Sequence, residues 1–291
     1  MKTSDILKTM KIGLVNYPKP PDVEAPSGME WFLRKSWELG CTVAGVSLRK
    51  VDDIAPICEV VEDIGIDIEP WVSGAFDLTG SDSAEGRALL LEHLSKAKQM
   101  GSSIIRSCYG NMGAEKSPYN RDYPVAHQME FVVKNLKEAA KIIEDHELLM
   151  GIENHCDFNG KEWAQILEEV GSQNIGIGFD TGNWYWICCD PDEVIEHLAP
   201  YVITTHVKDM IMRTRGWDIP PRVYHEGCNL GQGNVDLPGI LETIAERSPY
   251  ADGLHLIIEP MSLPDQEGKS KAQISKEFFD TGVEYLKRLI G

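Results

Sequence analysis

The chain has 291 residues, 42% of them apolar, enough to bury a large core without disulfides or a structural metal. Its formal net charge is −18, from 28 basic and 46 acidic residues, and no Lys/Arg cluster interrupts the acidity. That argues against a nucleic-acid partner, which needs a basic face to neutralise phosphates. The seven cysteines show no framework spacing and no C-x-x-C, which fits a reducing compartment and argues against a thiolate metal site. The N-terminal segment is too polar for a secretory signal, and no run reaches the roughly 20 apolar residues of a membrane span. A cytoplasmic protein without a membrane partner is expected, compatible with a homo-oligomer.

Along the chain, short apolar runs alternate with helical patterns. KIGLVNY (11–17) is followed by a helix at Met29–Leu39, capped by Ser27. CTVAGVSL (41–48) precedes Asp52–Ile64, IDIEPWVS (66–73) precedes Ser83–Met100, and SSIIRSCY (102–109) precedes Pro124–Asp145. LLMGIENH (148–155) leads to Gly160–Val170, NIGIGFDT (174–181) to Pro191–Leu198, VITTHVKD (202–209) to Leu237–Glu246, and LHLIIEP (254–260) to Lys271–Leu289. Near-continuous apolar runs of this length read as strands buried on both faces, as in parallel sheets. Pro191 and Pro238 suit a first helical turn, and Gly40, Gly65, Gly101 and Gly171 suit helix C-termini.

Eight strand–helix units predict an α/β fold, a single (β/α)8 barrel domain over residues 1–291. The competing open doubly wound sheet expects a glycine-rich first turn, and NYPKPPD is not one. Long connections follow strands at 17–27, 74–82, 109–123 and 209–235, the side on which a barrel builds its active site. The stretch 209–235 is the longest and is a candidate lid.

Charged residues in buried strands need a reason. Glu153, Asp180, His206 and Glu259 fall near the C-terminal ends of the last four runs, so consecutive units deliver them to one rim. Three carboxylates converging without a cation would repel one another, and a divalent ion resolves the repulsion. Three oxygen donors and one imidazole suit Mn²⁺, Mg²⁺ or Co²⁺, with Zn²⁺ less favoured.

The motifs GIENH (151–155), GFDTGN (178–183), THVKD (205–209), LGQGNVDLPGIL (230–241) and IIEP (257–260) resemble the xylose isomerase-like barrels of the sugar phosphate isomerase/epimerase group. The N-terminal half shares only the strand–helix rhythm. The resemblance implies one divalent ion, often Mn²⁺, on Glu153, Asp180, His206 and Glu259. It also implies proton chemistry at Glu153 and Glu259, and a place near the substrate for His155. A metal on a ketone and its neighbouring hydroxyl acidifies the intervening C–H through an enediolate, and two glutamates on opposite walls allow a proton to leave and return.

Residues two apart on a strand share a face. His155 therefore lies with Glu153, to contact substrate or to orient that glutamate. Lys208 lies with His206, to bind a substrate oxyanion or to pair with Asp209 or a neighbouring strand end. Asn183 stands where many members of the group carry histidine; it can bind a hydroxyl but cannot shuttle a proton. That departure, with few histidines on the early strands, counts against the DNA-repair branch of the group. Arg213, Arg215, Arg222 and His225 on the 209–235 stretch are candidate contacts for an anionic substrate group. Arg106, inside a buried run, needs a partner, either a barrel-interior carboxylate or the substrate. Trp184, Tyr185 and Trp186 serve either sugar stacking or helix packing.

The expected function is a metal-dependent isomerase or epimerase acting on a small keto-sugar or sugar acid. One alternative is a lyase on the same metal: a dehydratase, a 3-keto sugar acid decarboxylase or a β-eliminating deglycosidase. The other is a non-catalytic metal–sugar binding subunit, which has no use for both glutamates.

Overall fold

The structure, a computed structural model, describes residues 2–19, 28–49, 51–78, 83–214, 223–261 and 263–291. These residues form ten strands: β1 (Lys11–Leu14), β2 (Val43–Ser47), β3 (Asp67–Trp71), β4 (Ile104–Cys108), β5 (Leu149–Glu153), β6 (Ile175–Asp180), β7 (Val202–Val207), β8 (Asp209–Thr214), β9 (Val223–Cys228) and β10 (His255–Ile258). All but β8 and β9 close into a parallel barrel in the order β1-β10-β7-β6-β5-β4-β3-β2. Each of the eight apolar runs supplies one barrel strand. Burial on both faces is complete in β6 and β7, as continuous apolar runs require.

Among the described residues, eight helices cover the barrel: α2 (Gly28–Glu38), α3 (Ala55–Ile64), α4 (Ser83–Gln99), α5 (Val125–Asp145), α6 (Gly160–Val170), α7 (Pro191–Leu198), α8 (Leu237–Arg247) and α9 (Lys271–Ile290). Local chemistry sets their ends. Asn159 and Glu162 form a capping box at α6, Ser270 and Gln273 another at α9, and Asp190 caps α7 just before Pro191. Gly65 and Gly171 close α3 and α6 in the left-handed region, both at φ +67°, where a side chain would be strained. The expected Ser27 cap lies outside the described residues. A further short helix, α1 (Thr3–Leu7), precedes the barrel.

The stretch 209–235 differs from the expected loop. Its ends, β8 and β9, pair antiparallel as a ribbon separate from the barrel sheet, from Asp209 opposite Cys228 to Thr214 opposite Val223. Among the described residues, no helix is long and apolar enough to cross a membrane.

The barrel interior departs from the branched apolar layers usual in such folds. Glu69 (β3), Arg106 (β4), Thr204 (β7) and His255 (β10) meet there, all buried. The Arg106 Nε donates to Glu69 Oε1 at 2.8 Å, and its Nη2 donates to the same carboxylate and to Thr204 Oγ1 at 3.2 Å. Thr204 Oγ1 donates to Glu69 Oε2 at 2.6 Å, and His255 Nδ1 lies 2.7 Å from that oxygen. Gly151, the register partner of Arg106, leaves room for Thr204 in this layer: an added Cβ would stand 2.6 Å from Thr204 Cγ2.

Candidate metal centre

Above this polar layer, the C-terminal ends of β5, β6, β7 and β10 bring four side chains together. One ligand-type atom from each of Glu153, Asp180, His206 and Glu259 lies within 4.8 Å of the others. His206 Nδ1 is 3.2 Å from Glu153 Oε2, 3.2 Å from Glu259 Oε2 and 3.8 Å from Asp180 Oδ2. Glu153, Asp180 and His206 are 2%, 0% and 5% exposed. The Glu259 side chain is 28% exposed and forms the open side.

The sheet itself delivers them. In register, Glu153 stands beside Gly178 and Asp180 beside His206. Glu259 follows β10, held by its N–H donating to Val207 O at 3.1 Å. Asp180 is further fixed on both sides: its N–H donates to Asn154 Oδ1 at 2.8 Å, and its Oδ1 accepts the N–H groups of Gly182 and Asn183 at 2.8 and 2.9 Å.

The electrostatics are those of a cation site. Burial alone raises all three carboxylates, because it disfavours charge. His206 and its hydrogen bond outweigh burial at Glu153, and His206 with Lys208 holds Glu259 well below the usual range. Asp180 stays raised, by burial and by the Glu153 and Glu259 charges, against the pull of Lys208. Burial and Arg106 push the His206 imidazole down, but Glu153 and Glu259 prevail and lift it to about 9.

Asp180 Oδ2 and His206 Nδ1 are both buried and make ion-pair contacts only, Asp180 with Lys208 and His206 with Glu153 and Glu259. Three carboxylates and one imidazole converging on one point fit a divalent ion, and this set of oxygen and imidazole donors can hold one.

Lys208 is 1% exposed and supplies the nearest fixed positive charge. Its Nζ lies 2.7 Å from Asp180 Oδ2 and donates to Glu259 Oε2 at 2.6 Å. The structure therefore gives Lys208 neighbouring strand-end partners. Asp209 instead accepts backbone N–H groups from Gly233 at 2.8 Å and Val235 at 3.2 Å.

Asn183 also turns toward the carboxylates. Its Nδ2 donates to Glu153 Oε1 at 3.2 Å and to Asn154 O at 3.0 Å. His155 lies beyond the last residue of β5, yet lines the same cavity as Glu153, with its Nδ1 3.1 Å from Gly110 O. His225 packs edge-on to Trp186 with ring centroids 4.1 Å apart, and Arg213 pairs with Glu226 at 2.7 Å; neither lines that cavity. Trp184 is fully buried and packs on Phe179, which is helix and strand packing. Arg215 and Arg222 lie outside the described residues.

Four contributors carried no weight in the sequence reading. Glu69 and His255 anchor Arg106 from below, and Asn154 and Asp157 shape the turn after β5. Asp157 accepts from Gly110 N, His155 N, Phe158 N and Trp163 Nε1. Glu69 did leave a signal, since a carboxylate inside IDIEPW is as anomalous as Arg106 inside IIRSC.

The cavity above the cluster has a volume of about 310 Å³. That is the small end of the range for ligand pockets, about 300–1,000 Å³, and suits a small molecule. Glu153, His206 and Glu259 form one wall.

Comparison with known proteins agrees with this architecture. The model of the xylose isomerase-like TIM barrel family matches residues 38–282. A 3-oxo-isoapionate decarboxylase of Pectobacterium atrosepticum is 24% identical over 261 residues, covering 86% of this chain and 85% of its own. Among solved structures, a xylose isomerase-like TIM barrel protein from Mycobacterium smegmatis in complex with magnesium superposes with a TM-score of 0.69 at 17% identity, covering 97% of this chain and 96% of that one. A D-psicose 3-epimerase crystallised in the presence of D-fructose gives 0.72 at 16% identity, covering 97% and 100%. At these identities the structural likeness speaks for the fold alone.

Proposed function

The chain belongs to the xylose isomerase-like TIM barrel family, and we propose that it is a divalent-metal-dependent enzyme acting on a small keto-sugar or sugar acid. The observation that carries this reading is the convergence of Glu153, Asp180, His206 and Glu259, one ligand-type atom of each lying within 4.8 Å of the others. These four residues would hold one ion, with Mn²⁺ favoured and Mg²⁺, Co²⁺ or Zn²⁺ as alternates. The magnesium in the Mycobacterium smegmatis protein supports an ion of this hard, oxygen-preferring class. When bound, the ion supplies a Lewis acid that polarises a carbonyl and offsets charge developing on its oxygen.

The remaining chemistry belongs to the side chains. Glu153 and Glu259 both line the cavity from strands separated by β6 and β7, so they reach a substrate from different directions. Burial disfavours the ionised form of both, and a permanent cation beside each favours it: Arg106 at Glu153 and Lys208 at Glu259. One, as the carboxylate, takes the proton from the carbon beside the carbonyl, leaving an enediolate; then either the other, as the carboxylic acid, gives its proton to the opposite face, or the first gives back its own to the neighbouring carbon. The first outcome is epimerisation and the second isomerisation. His155, on the same cavity, is placed to bind a substrate hydroxyl, while Asn183 keeps Glu153 oriented.

A second reading is decarboxylation of a 3-keto sugar acid. The relative named 3-oxo-isoapionate decarboxylase, which spans most of this chain, favours it. The two readings share the cluster and differ in the bond that breaks.

Proton NMR in D₂O separates them. Metal-loaded protein is incubated with a panel of keto-sugars and 3-keto sugar acids. Deuterium appearing beside the ketone without loss of mass supports the isomerase or epimerase. CO₂ release supports the decarboxylase. A protein that binds metal and sugar but does neither is a binding subunit, and the enzymatic reading fails.

A further inference from the structure

The wall facing the metal centre comes from the first half of the chain. Ser47, Arg49, Trp71 and Arg106, on or just after β2, β3 and β4, line the cavity with Val15 and Glu69. Two features set this wall apart. Arg49 is exposed at the rim and, among the described residues, its guanidinium makes no hydrogen bond or ion pair, in a chain of net charge −18. Arg106 is 2% exposed, and its buried Nη1 makes no hydrogen bond; the nearest carboxylate oxygen, Glu153 Oε2, is 3.7 Å away. The rest of that guanidinium is tied to Glu69, Thr204 and Thr205, so the charge is fixed in place.

We infer that this wall is a subsite for a carboxylate on the substrate, with Arg49 as the contact residue and Arg106 as the fixed positive charge behind it. The inference rests on the functional reading above and names its substrate class as a sugar acid. The opposite wall carries the metal site, which would take the substrate's carbonyl and its neighbouring hydroxyl and leave the carboxylate to the arginine wall. A planar guanidinium with free N–H groups matches a carboxylate in two-point contact. The cavity of about 310 Å³ accommodates a short sugar acid between the two walls.

Titration calorimetry with D-erythronate, D-erythronamide and erythritol tests this, on wild type and Arg49→Gln, each loaded with Mn²⁺ and after EDTA. Wild type is expected to bind erythronate about tenfold more tightly than the amide, the size of one charge-assisted contact. Arg49→Gln loses that preference and keeps its affinity for the amide, and Arg49→Lys recovers part of it. Equal affinity for acid and amide in wild type overturns the subsite. So does an undiminished preference in Arg49→Gln, the result if the ion alone held the carboxylate, and so does tighter binding of erythritol 4-phosphate than of erythronate. If the preference survives EDTA in a protein that takes up no Mn²⁺, the subsite stands and the metal-enzyme reading falls. If keto-sugars exchange deuterium normally without any carboxylate preference, the reverse holds.

Discussion

Lys208 Nζ donates to Glu259 Oε2 at 2.6 Å while standing 2.7 Å from Asp180 Oδ2, so one buried ammonium bridges two of the three carboxylates of the cluster. Three acidic groups packed this closely are tolerable in the metal-free protein because Lys208 and a protonated His206 sit among them. Lys208→Met is therefore expected to destabilise the metal-free protein by about 3–5 kcal/mol, the cost of breaking a buried pair from one side. Saturating Mn²⁺ restores much of that, so the metal-induced rise in Tm is larger in the variant than in wild type. Differential scanning fluorimetry with and without Mn²⁺ checks it. Equal rises would mean that Lys208 does not share the charge-balancing role.

Asn183 offers a cleaner separation of orientation from charge. Its side chain holds Glu153 Oε1 without bearing charge of its own. Asn183→Ala is expected to weaken metal binding by roughly 10- to 100-fold, the usual effect of removing a group that orients a ligand. Stability should fall by about 1–3 kcal/mol for the lost buried hydrogen bonds. Metal titration by calorimetry and urea unfolding measure the two effects separately.

Glu69 fixes an acid limit on stability. Burial raises its pKa, but Arg106, then the His255 hydrogen bond and charge, then Thr204, lower it to about 2 from an ordinary 4.5. A depressed carboxylate contributes stability that is present above its unfolded value and lost as pH falls through its folded one. The window here is about pH 4.5 down to 2, and the contribution is roughly 3 kcal/mol. Glu69→Gln should start less stable at neutral pH and lose less over that window. Urea unfolding of both proteins at pH 3, 4, 5 and 7 shows whether the two curves converge at acid pH.

The two cavity glutamates are predicted to act as a pair. Glu153→Gln and Glu259→Gln should each abolish deuterium exchange at the substrate carbon in D₂O, by a factor of about 10² or more for a lost acid/base group. Normal exchange in both variants removes the proton-transfer assignment.

Much of this was legible in the chain before its coordinates. The eight apolar runs became the eight barrel strands because strands buried on both faces must be apolar throughout. The four ligand candidates stood out because each broke such a run at its end. The ribbon of β8 and β9 was not legible, since MIMRT and VYHEGC face no barrel core and carry Arg213 and Glu226 within them. Nor was the arginine wall. Ser47, Arg49 and Trp71 are ordinary residues in sequence, and only closure of the barrel places β2 and β3 across from β6 and β7. Nor did the sequence signal that the turn after β6 brings Asn183 Nδ2 to Glu153 Oε1.

The most direct test is metal content. Wild type and His206→Ala, purified after incubation with Mn²⁺ and passage over a desalting column, are analysed by inductively coupled plasma mass spectrometry, with circular dichroism confirming that both are folded. About one ion per wild-type chain and essentially none in the folded variant is the predicted result. Full occupancy in His206→Ala, or a wild type that holds no ion, contradicts the assignment of Glu153, Asp180, His206 and Glu259 as one metal site.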